Sequence, residues 1–312
     1  MKLKLAFFSV GLSVSLLNCT QDELIITDSE DSKPSSQRIM AVPSIKTVDF
    51  NNRTGAYSDY SQGEADSDFG GSVNTVGGSW DPSNHATVGN SLFRVKLAPM
   101  KHSATSGGIN GSGHNFDLAV PNGGEYELKF AVRFENGFQF GRGGKIGFGI
   151  SIGTGNSGGK TPPPDGGSLR FMWKSPAKYD QATNKLINVG GAYFVPYAYY
   201  SDQPNQYGDE FGKRSSFDLT TNQWYTLYMR VKTNTNTSTT SPNGAIEMRV
   251  GKGSNLTKAQ MEELINKPFK WTDTPVNINK LSFNIFRGGN TIDWVTPNTG
   301  YIHIDNVSWK KL

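Results

Sequence analysis

The chain is short of nearly everything that redox, metal or nucleic-acid chemistry draws on. Its 312 residues hold one cysteine, Cys19, so no disulfide closes within the chain and no thiolate cluster forms. The four histidines are scattered and offer no metal-ligand spacing. Charged residues are only 19% of the chain, and the net charge of +4 falls to +2 once Lys2 and Lys4 are set aside. That balance excludes a nucleic-acid footprint. Charge runs and internal repeats are absent, and the one long apolar run, residues 5 to 17, is too short to span a bilayer.

What is present is packing and turning material. Hydrophobic residues make up 35% and aromatics 12%, with 36 glycines, a mixture that suits many short strands. The length fits one large all-β domain. The N-terminus carries an address: Met1-Lys2-Leu3-Lys4, the apolar run, then Leu16-Leu17-Asn18-Cys19. That last tetrad resembles the lipobox of bacterial lipoproteins, which implies cleavage after residue 18 and lipidation of Cys19. Thr20-Gln21-Asp22-Glu23 resembles the acidic signal that exports such proteins to the outer-membrane surface. The polar segment up to residue 44, with Lys33-Pro34-Ser35-Ser36 at its centre, reads as a flexible tether. The expected organisation is a signal peptide over 1–18, a lipidated tether over 19–44 and one domain over 45–312.

Strand patterns dominate after the tether. Leu92 to Leu97 alternates, and Glu125 to Phe134 sends Tyr126, Leu128, Phe130, Val132 and Phe134 to one face and charges to the other. Trp224 to Val231, Ala245 to Val250, Leu281 to Phe286 and Tyr301 to Asp305 complete the set. Asn136-Gly137 and Asn243-Gly244 mark turns. Residues 54 to 90 read as long loops with short edge strands. Thr257 to Ile265 is the one expected helix, with Thr257 and Gln260 at capping-box spacing. The fold expectation is all-β, a jelly-roll β-sandwich (concanavalin-like) with one short helix.

Three segments between Gly143 and Tyr200 carry the candidate chemistry. They are Gly144 to Ile150, Ser168 to Lys174, and Val195 to Tyr200. Alternation puts Ile146, Phe148, Ile150, Leu169, Phe171 and Trp173 in the core and Lys145, Ser168, Arg170, Tyr197 and Tyr199 on the other face. A lysine, an arginine and a tyrosine pair on one sheet surface suit an anionic, hydroxyl-rich ligand. The glycines around Lys145 read as room for a ligand or as a bend in the sheet. The glycine-rich run Ser106 to His114 is followed by an extended segment, which excludes a phosphate loop. His114 is a loop or strand-edge histidine, or else a base or substrate contact. Tyr193 reads as groove lining or packing, and Asn284 as a substrate contact sharing a polar face with Ser282.

These segments resemble the family-14 polysaccharide lyases and the related glucuronan lyases. The family's Gly-Gly-Lys strand is matched by Gly143-Gly144-Lys145-Ile146-Gly147-Phe148, and its Ser-x-Arg strand by Ser168-Leu169-Arg170-Phe171-Met172-Trp173-Lys174. Its Tyr-x-Tyr segment is matched by Tyr197-Ala198-Tyr199-Tyr200-Ser201-Asp202-Gln203-Pro204 and then Tyr207-Gly208-Asp209. Gln223-Trp224-Tyr225-Thr226 and Phe286-Arg287-Gly288-Gly289 follow in the family's order. Departures are Ile146-Gly147 for Leu-Pro, Lys174 for Arg, Tyr200 for His, and an insertion over residues 175–196.

The resemblance implies a jelly-roll lyase that cuts a polyuronate, alginate or a glucuronan-like chain, by β-elimination. That reaction needs a base for the C5 proton, a clamp for the adjacent carboxylate and an acid for the leaving oxygen. The implied assignment is Tyr197 and Tyr199 as base and acid, Arg170 as carboxylate clamp, and Lys145 as essential cation or proton-transfer group. Ser168, His114, Tyr193 and Asn284 are substrate-binding candidates. The alternative is a non-catalytic carbohydrate-binding surface lipoprotein. A hydrolase needs two placed carboxylates, and the three motifs hold none. No cofactor is expected; a structural calcium would fall to loop carboxylates such as Asp202, Asp209 or Glu210. The expected partners are an anionic polysaccharide and, through the lipid alone, a membrane; oligomeric state is left open.

Overall fold

Runs in which every second side chain is apolar are half-buried most simply as strands, and nearly all of the observed fold follows from that. A computed structural model describes residues 45–71, 73–75, 80, 86–102 and 112–312. The signal segment, Cys19, the tether and most of the glycine run before His114 lie outside the described residues. Among the described residues no helix is long and apolar enough to cross a membrane.

The chain enters with β1 (Lys46–Val48), β2 (Ser58–Asp59), helix α1 (Gln62–Phe69), β3 (Val73–Thr75), β4 (Ala86–Gly89) and β5 (Leu92–Leu97). The long β6 (His114–Gly123) and β7 (Glu125–Phe134) follow, then β8 (Gly143–Lys145), β9 (Phe148–Gly153) and β10 (Gly166–Lys174). Next come β11 (Lys178–Asp180), β12 (Lys185–Ile187), β13 (Tyr193–Tyr199) and β14 (Asp209–Glu210). The chain closes with β15 (Trp224–Lys232), β16 (Gly244–Lys252), β17 (Glu262–Phe269), β18 (Ile278–Arg287) and β19 (Gly300–Lys311).

Two antiparallel sheets face each other. One has the order β17-β16-β15-β7-β19-β5-β4-β2, with β1 also on β19; the other runs β14-β13-β10-β8-β18-β6-β3, with β9 paired to β10 and β18. The expected jelly-roll sandwich is thus observed. Aromatic rings from the two inner faces interlock, with Phe130 meeting Phe148 at 5.8 Å, Phe93 meeting Phe283 at 5.2 Å and Phe134 meeting Trp173 at 5.9 Å. Each such fully buried side chain stabilises by about 1.5–3 kcal/mol relative to exposure. Ile146, Phe148, Ile150, Leu169, Phe171 and Trp173 are all in this core, as alternation requires. The insertion over 175–196 forms the separate ribbon β11-β12 before β13 begins.

Two expectations are corrected. The segment Thr257 to Ile265 is not an α-helix: only a 3-10 turn forms at Lys258–Gln260, and the chain then extends into β17. Its capping box is real, with Thr257 N–H and Oγ–H both donated to Gln260 at 2.9 and 2.8 Å. The helix-like spacing of Met261, Leu264 and Ile265 has another cause. Pairing with β16 shifts register between Met248 and Arg249, opposite Ile265 and Glu263, so Leu264 is bulged and both apolar neighbours are buried. The true helix is α1, within the stretch expected to be loops. Ser61 caps it in a box with Glu64, Gly70 ends it at φ 65°, and Ala65 and Phe69 are buried.

The strand Gly144 to Ile150 is also interrupted. Gly147 turns at φ 73°, and a side chain there would strike the Phe130 ring at 2.3 Å. β8 therefore ends on Lys145, and β9 starts afresh at Phe148.

Candidate active site

The second sheet positions the site through register. In β10 the residues Ser168, Arg170, Met172 and Lys174 alternate with the core residues Leu169, Phe171 and Trp173. Arg170 is paired with Tyr197 of β13, Ser168 with Tyr199, and Met172 with Lys145 of β8. Lysine, arginine and the tyrosine pair thus share one patch of the sheet's outer face. They line a cleft of about 790 Å³, which Met172, Tyr207, Glu210, Phe286 and Trp294 complete.

Lys145 is the unusual member. Its side chain leaves the outer face of the sheet, yet only 6% of the residue is exposed. Nζ lies 3.2 Å from Met172 Sδ and 3.1 Å from the centroid of the Tyr197 ring. Among the described residues no carboxylate pairs with it. Burial, with the charges of Arg170 and Lys174 added, holds its pKa well below the ordinary lysine value, and Glu210 opposes this only in part. The ring face favours the ammonium, but desolvation and two like charges outweigh one aromatic contact.

Tyr197 and Tyr199 stand edge to face, centroids 5.4 Å apart at 82°, with hydroxyl oxygens 3.4 Å apart. Burial, and next the neighbouring Tyr199, pushes the Tyr197 hydroxyl above the usual tyrosine range. Arg170 donates from Nη2 to the Asn156 carbonyl at 3.3 Å, and its Cζ lies 5.7 Å from the Tyr199 ring. Its Nε has no hydrogen-bond partner among the described residues. Desolvation lowers its pKa too, although the side chain is only half-buried. Lys174 is paired with Glu210, and Arg142 with Asp293, at the rim. Two cations without carboxylate partners in one cleft make a seat for an anion.

The other sequence candidates sit elsewhere. His114 is corrected: it is 1% exposed inside the sandwich, its ring 4.5 Å from Trp80 and near Phe93, Phe116 and Phe283. Period two along β6 sends it inward with Phe116 and Leu118, so it is a core residue and not a substrate contact. Ser168 is fully buried and donates to the Asn156 carbonyl at 3.1 Å, which anchors the loop beside Arg170 and does not face the cleft. Tyr193 shares the outer face but lies beside Arg214 at the far end of β13, off the cleft lining. Asn284 spends its amide on the Phe283 carbonyl at 2.6 Å and Asn115 at 3.4 Å, outside the cleft. The room around Lys145 is also filled by the protein itself, since a Cβ on Gly149 would meet Leu169 O at 2.6 Å and Arg170 Cγ at 2.8 Å.

Sequence reasoning missed Met172, Arg142 and Trp294. Met172 was legible, because it alternates with Ser168 and Arg170; Trp294 was not, since it arrives from a loop after β18. Tyr207, Gly208 and Glu210, from the segment that follows Tyr200, also border the cleft. The loop carboxylates do not converge on a cation. Asp202 pairs with Lys270, Asp209 accepts from Tyr200, Glu210 pairs with Lys174, and no metal-holding cluster occurs among the described residues.

Comparison with known proteins bears on the family and the fold. A family model described as Polysaccharide lyase 14 matches residues 89–307. Alginate lyase Aly36B is 33% identical, with 87% of this chain and 98% of that chain covered and a TM-score of 0.68. A lysine and methionine double mutant of that enzyme in complex with alginate trisaccharide is 32% identical, over 87% and 100% of the chains, with a TM-score of 0.69. The marine PL-14 alginate lyase from Aplysia kurodai is 18% identical over 86% and 98%, with a TM-score of 0.59, and shows the shared fold alone. No curated protein matches the chain.

Proposed function

The chain belongs to polysaccharide lyase family 14, and from that premise we propose that it cleaves a polyuronate, alginate first among them, by β-elimination at the Lys145 cleft. The observation that carries the reading is a lysine buried without a carboxylate partner beside a half-buried arginine and two tyrosines. A polyanion supplies the charge that this cleft lacks. Aly36B, with its lysine and methionine or its lysine and a tyrosine substituted, is in complex with alginate trisaccharide and tetrasaccharide. Those are residue types that meet here as Lys145, Met172 and the tyrosine pair.

The environment redistributes the roles that motif order implied. A base must be unprotonated near working pH. Lys145 is pushed toward its neutral amine while Tyr197 is pushed toward its neutral phenol, so the lysine fits the base and the tyrosine pair the proton donor. Lys145 Nζ takes the C5 proton, the electron pair forms the C4=C5 double bond, and the C4–O bond breaks. Tyr199, or Tyr197 through it, protonates the leaving oxygen. Arg170 holds the sugar carboxylate through its planar fork, which lowers the cost of charge building there.

Cys19 fits a lipid attachment that holds the 45–312 domain at the cell envelope, on the outer-membrane surface. Radiolabelled palmitate incorporation that survives Cys19→Ser would remove this part of the reading. The enzymatic part is tested by incubating the domain with alginate, glucuronan and other polyuronates while following absorbance of the unsaturated product. Binding with no product from any of them would reverse the assignment in favour of glycan capture.

A further inference from the structure

The cleft is covered as well as lined. Side chains leaving the outer face of an edge-accessible sheet are ordinarily wet, yet Lys145 and Tyr199 are 6% and 3% exposed. Three connecting segments meet above them. Tyr207 comes from the β13–β14 connection and Asn290 from the segment after β18, and both line the cleft. Asn290 Nδ2 donates to Tyr207 Oη at 3.1 Å. Gly159 N–H donates to the Gln206 carbonyl at 3.1 Å, tying the β9–β10 loop to the same roof. Gly158 is wedged there, for a Cβ on it would lie 3.0 Å from Tyr199 Oη and 3.1 Å from the Tyr207 ring.

The strand order gives this contact its meaning. Between β13 and β18 lie β10 and β8, which carry Met172 and Lys145. The Tyr207–Asn290 hydrogen bond of 3.1 Å therefore joins segments anchored on strands three spacings apart, roughly 14 Å of sheet, across the cleft that Lys145 lines. We infer that Tyr207 and Asn290 form a strap that decides how a polymer enters: while it is closed, a chain threads an end beneath it and cannot be laid in sideways. The strap consists of one hydrogen bond between exposed side chains. Breaking it raises the open population about five-fold and admits internal stretches of chain. This rests on the polyuronate reading for the identity of the polymer and on geometry for the mode of entry.

Tyr207→Phe and Asn290→Ala each remove half of the bridge and leave Lys145, Arg170, Tyr197 and Tyr199 in place. On alginate, the loss of viscosity per unsaturated end formed should be small for the wild type and rise about five-fold in both variants. A wild type that collapses viscosity as steeply as the variants overturns the strap. A second readout needs no turnover. With Lys145→Ala added to each protein, calorimetric titration of alginate fractions of rising length should give a stoichiometry independent of length with the strap intact. It should grow with length once the strap is cut. Growth with length in the strap-intact protein also overturns the inference. Failure of the lyase reading looks different: no unsaturated ends from any polyuronate, with the stoichiometry still deciding the strap.

Discussion

Replacing Lys145 by methionine should slow catalysis by orders of magnitude and make the protein more stable, and the two effects have one cause. The lysine is nearly fully buried, touches a thioether and a ring face, and has no carboxylate partner among the described residues. Its folded pKa lies below the unfolded value of 10.5. In the window between those values the unfolded chain binds more protons, so wild-type stability rises with pH there. Below the folded pKa the penalty is fully present, at about 1.4 kcal/mol for each unit of depression. A methionine of similar length removes that penalty and gives up the cation–π contact, itself worth about 0.5–2 kcal/mol. Exchange of buried charge for apolar packing is commonly neutral to stabilising by about 1–4 kcal/mol, so a net gain of about 1–2 kcal/mol is expected at neutral pH.

Scanning calorimetry of wild type and Lys145→Met at pH 6, 8 and 10.5 reads this directly. A domain of this size shifts by about 2–4 °C per kcal/mol. The variant should melt higher at pH 6, and the gap should narrow toward pH 10.5 as the wild-type lysine loses its proton without cost. Loss of the base should lower kcat by about 10²–10⁴-fold. A variant that melts lower than wild type at pH 6, with a gap independent of pH, would show that the ammonium is a structural cation and would sink the base assignment.

Other predictions follow from neighbouring charges. Lys174→Met removes a like charge, so Lys145 rises toward its ordinary pKa and the acid limb of kcat/KM moves to higher pH; Glu210→Gln removes the opposing carboxylate and moves it lower. Unchanged limbs in both would exclude Lys145 as the titrating group. Arg170→Lys keeps the charge and loses the planar fork, at a cost of about 2 kcal/mol, or some thirty-fold in kcat/KM. His114→Ala should lower the melting temperature through a cavity of about 3 kcal/mol while kcat/KM stays within two-fold, roughly, because His114 lies in the core and not in the cleft.

Where the pattern has period two, the sequence was easy to read. β7, β5, β10 and β18 emerge where alternation puts them, and the same alternation brings Lys145, Arg170, Tyr197 and Tyr199 to one face. What it could not supply was depth. Asn284 and Tyr193 also point outward, but only the loops after β13 and β18 decide which outward residues are roofed. His114 was ambiguous because the glycine run hides where β6 begins; one register step separates an inward from an outward ring. Leu264 and Ile265 misled for a related reason, since a bulge buries consecutive residues and imitates a helical stripe.

The roofed site also bears on what a substrate does to the fold. Lys145 is buried and Arg170 half-buried, each without a carboxylate partner among the described residues, and each pKa is lowered, chiefly by desolvation. An acidic oligosaccharide completes both, so its binding energy adds to folding stability as RT ln(1 + [L]/Kd), about 2.7 kcal/mol at a hundredfold excess over Kd. The counter-charge raises the Lys145 pKa as it arrives, so the stabilisation should be larger at pH 6, where the ammonium is paired, than at pH 10. A neutral oligosaccharide of equal length should give less and show no such slope. Thermal shifts with saturated acidic oligomers in the Tyr199→Phe variant, in which turnover is slowed, measure both. Equal shifts from neutral and acidic sugars would mean that the cleft recognises hydroxyls alone and that its two unpaired cations serve the protein and not the ligand.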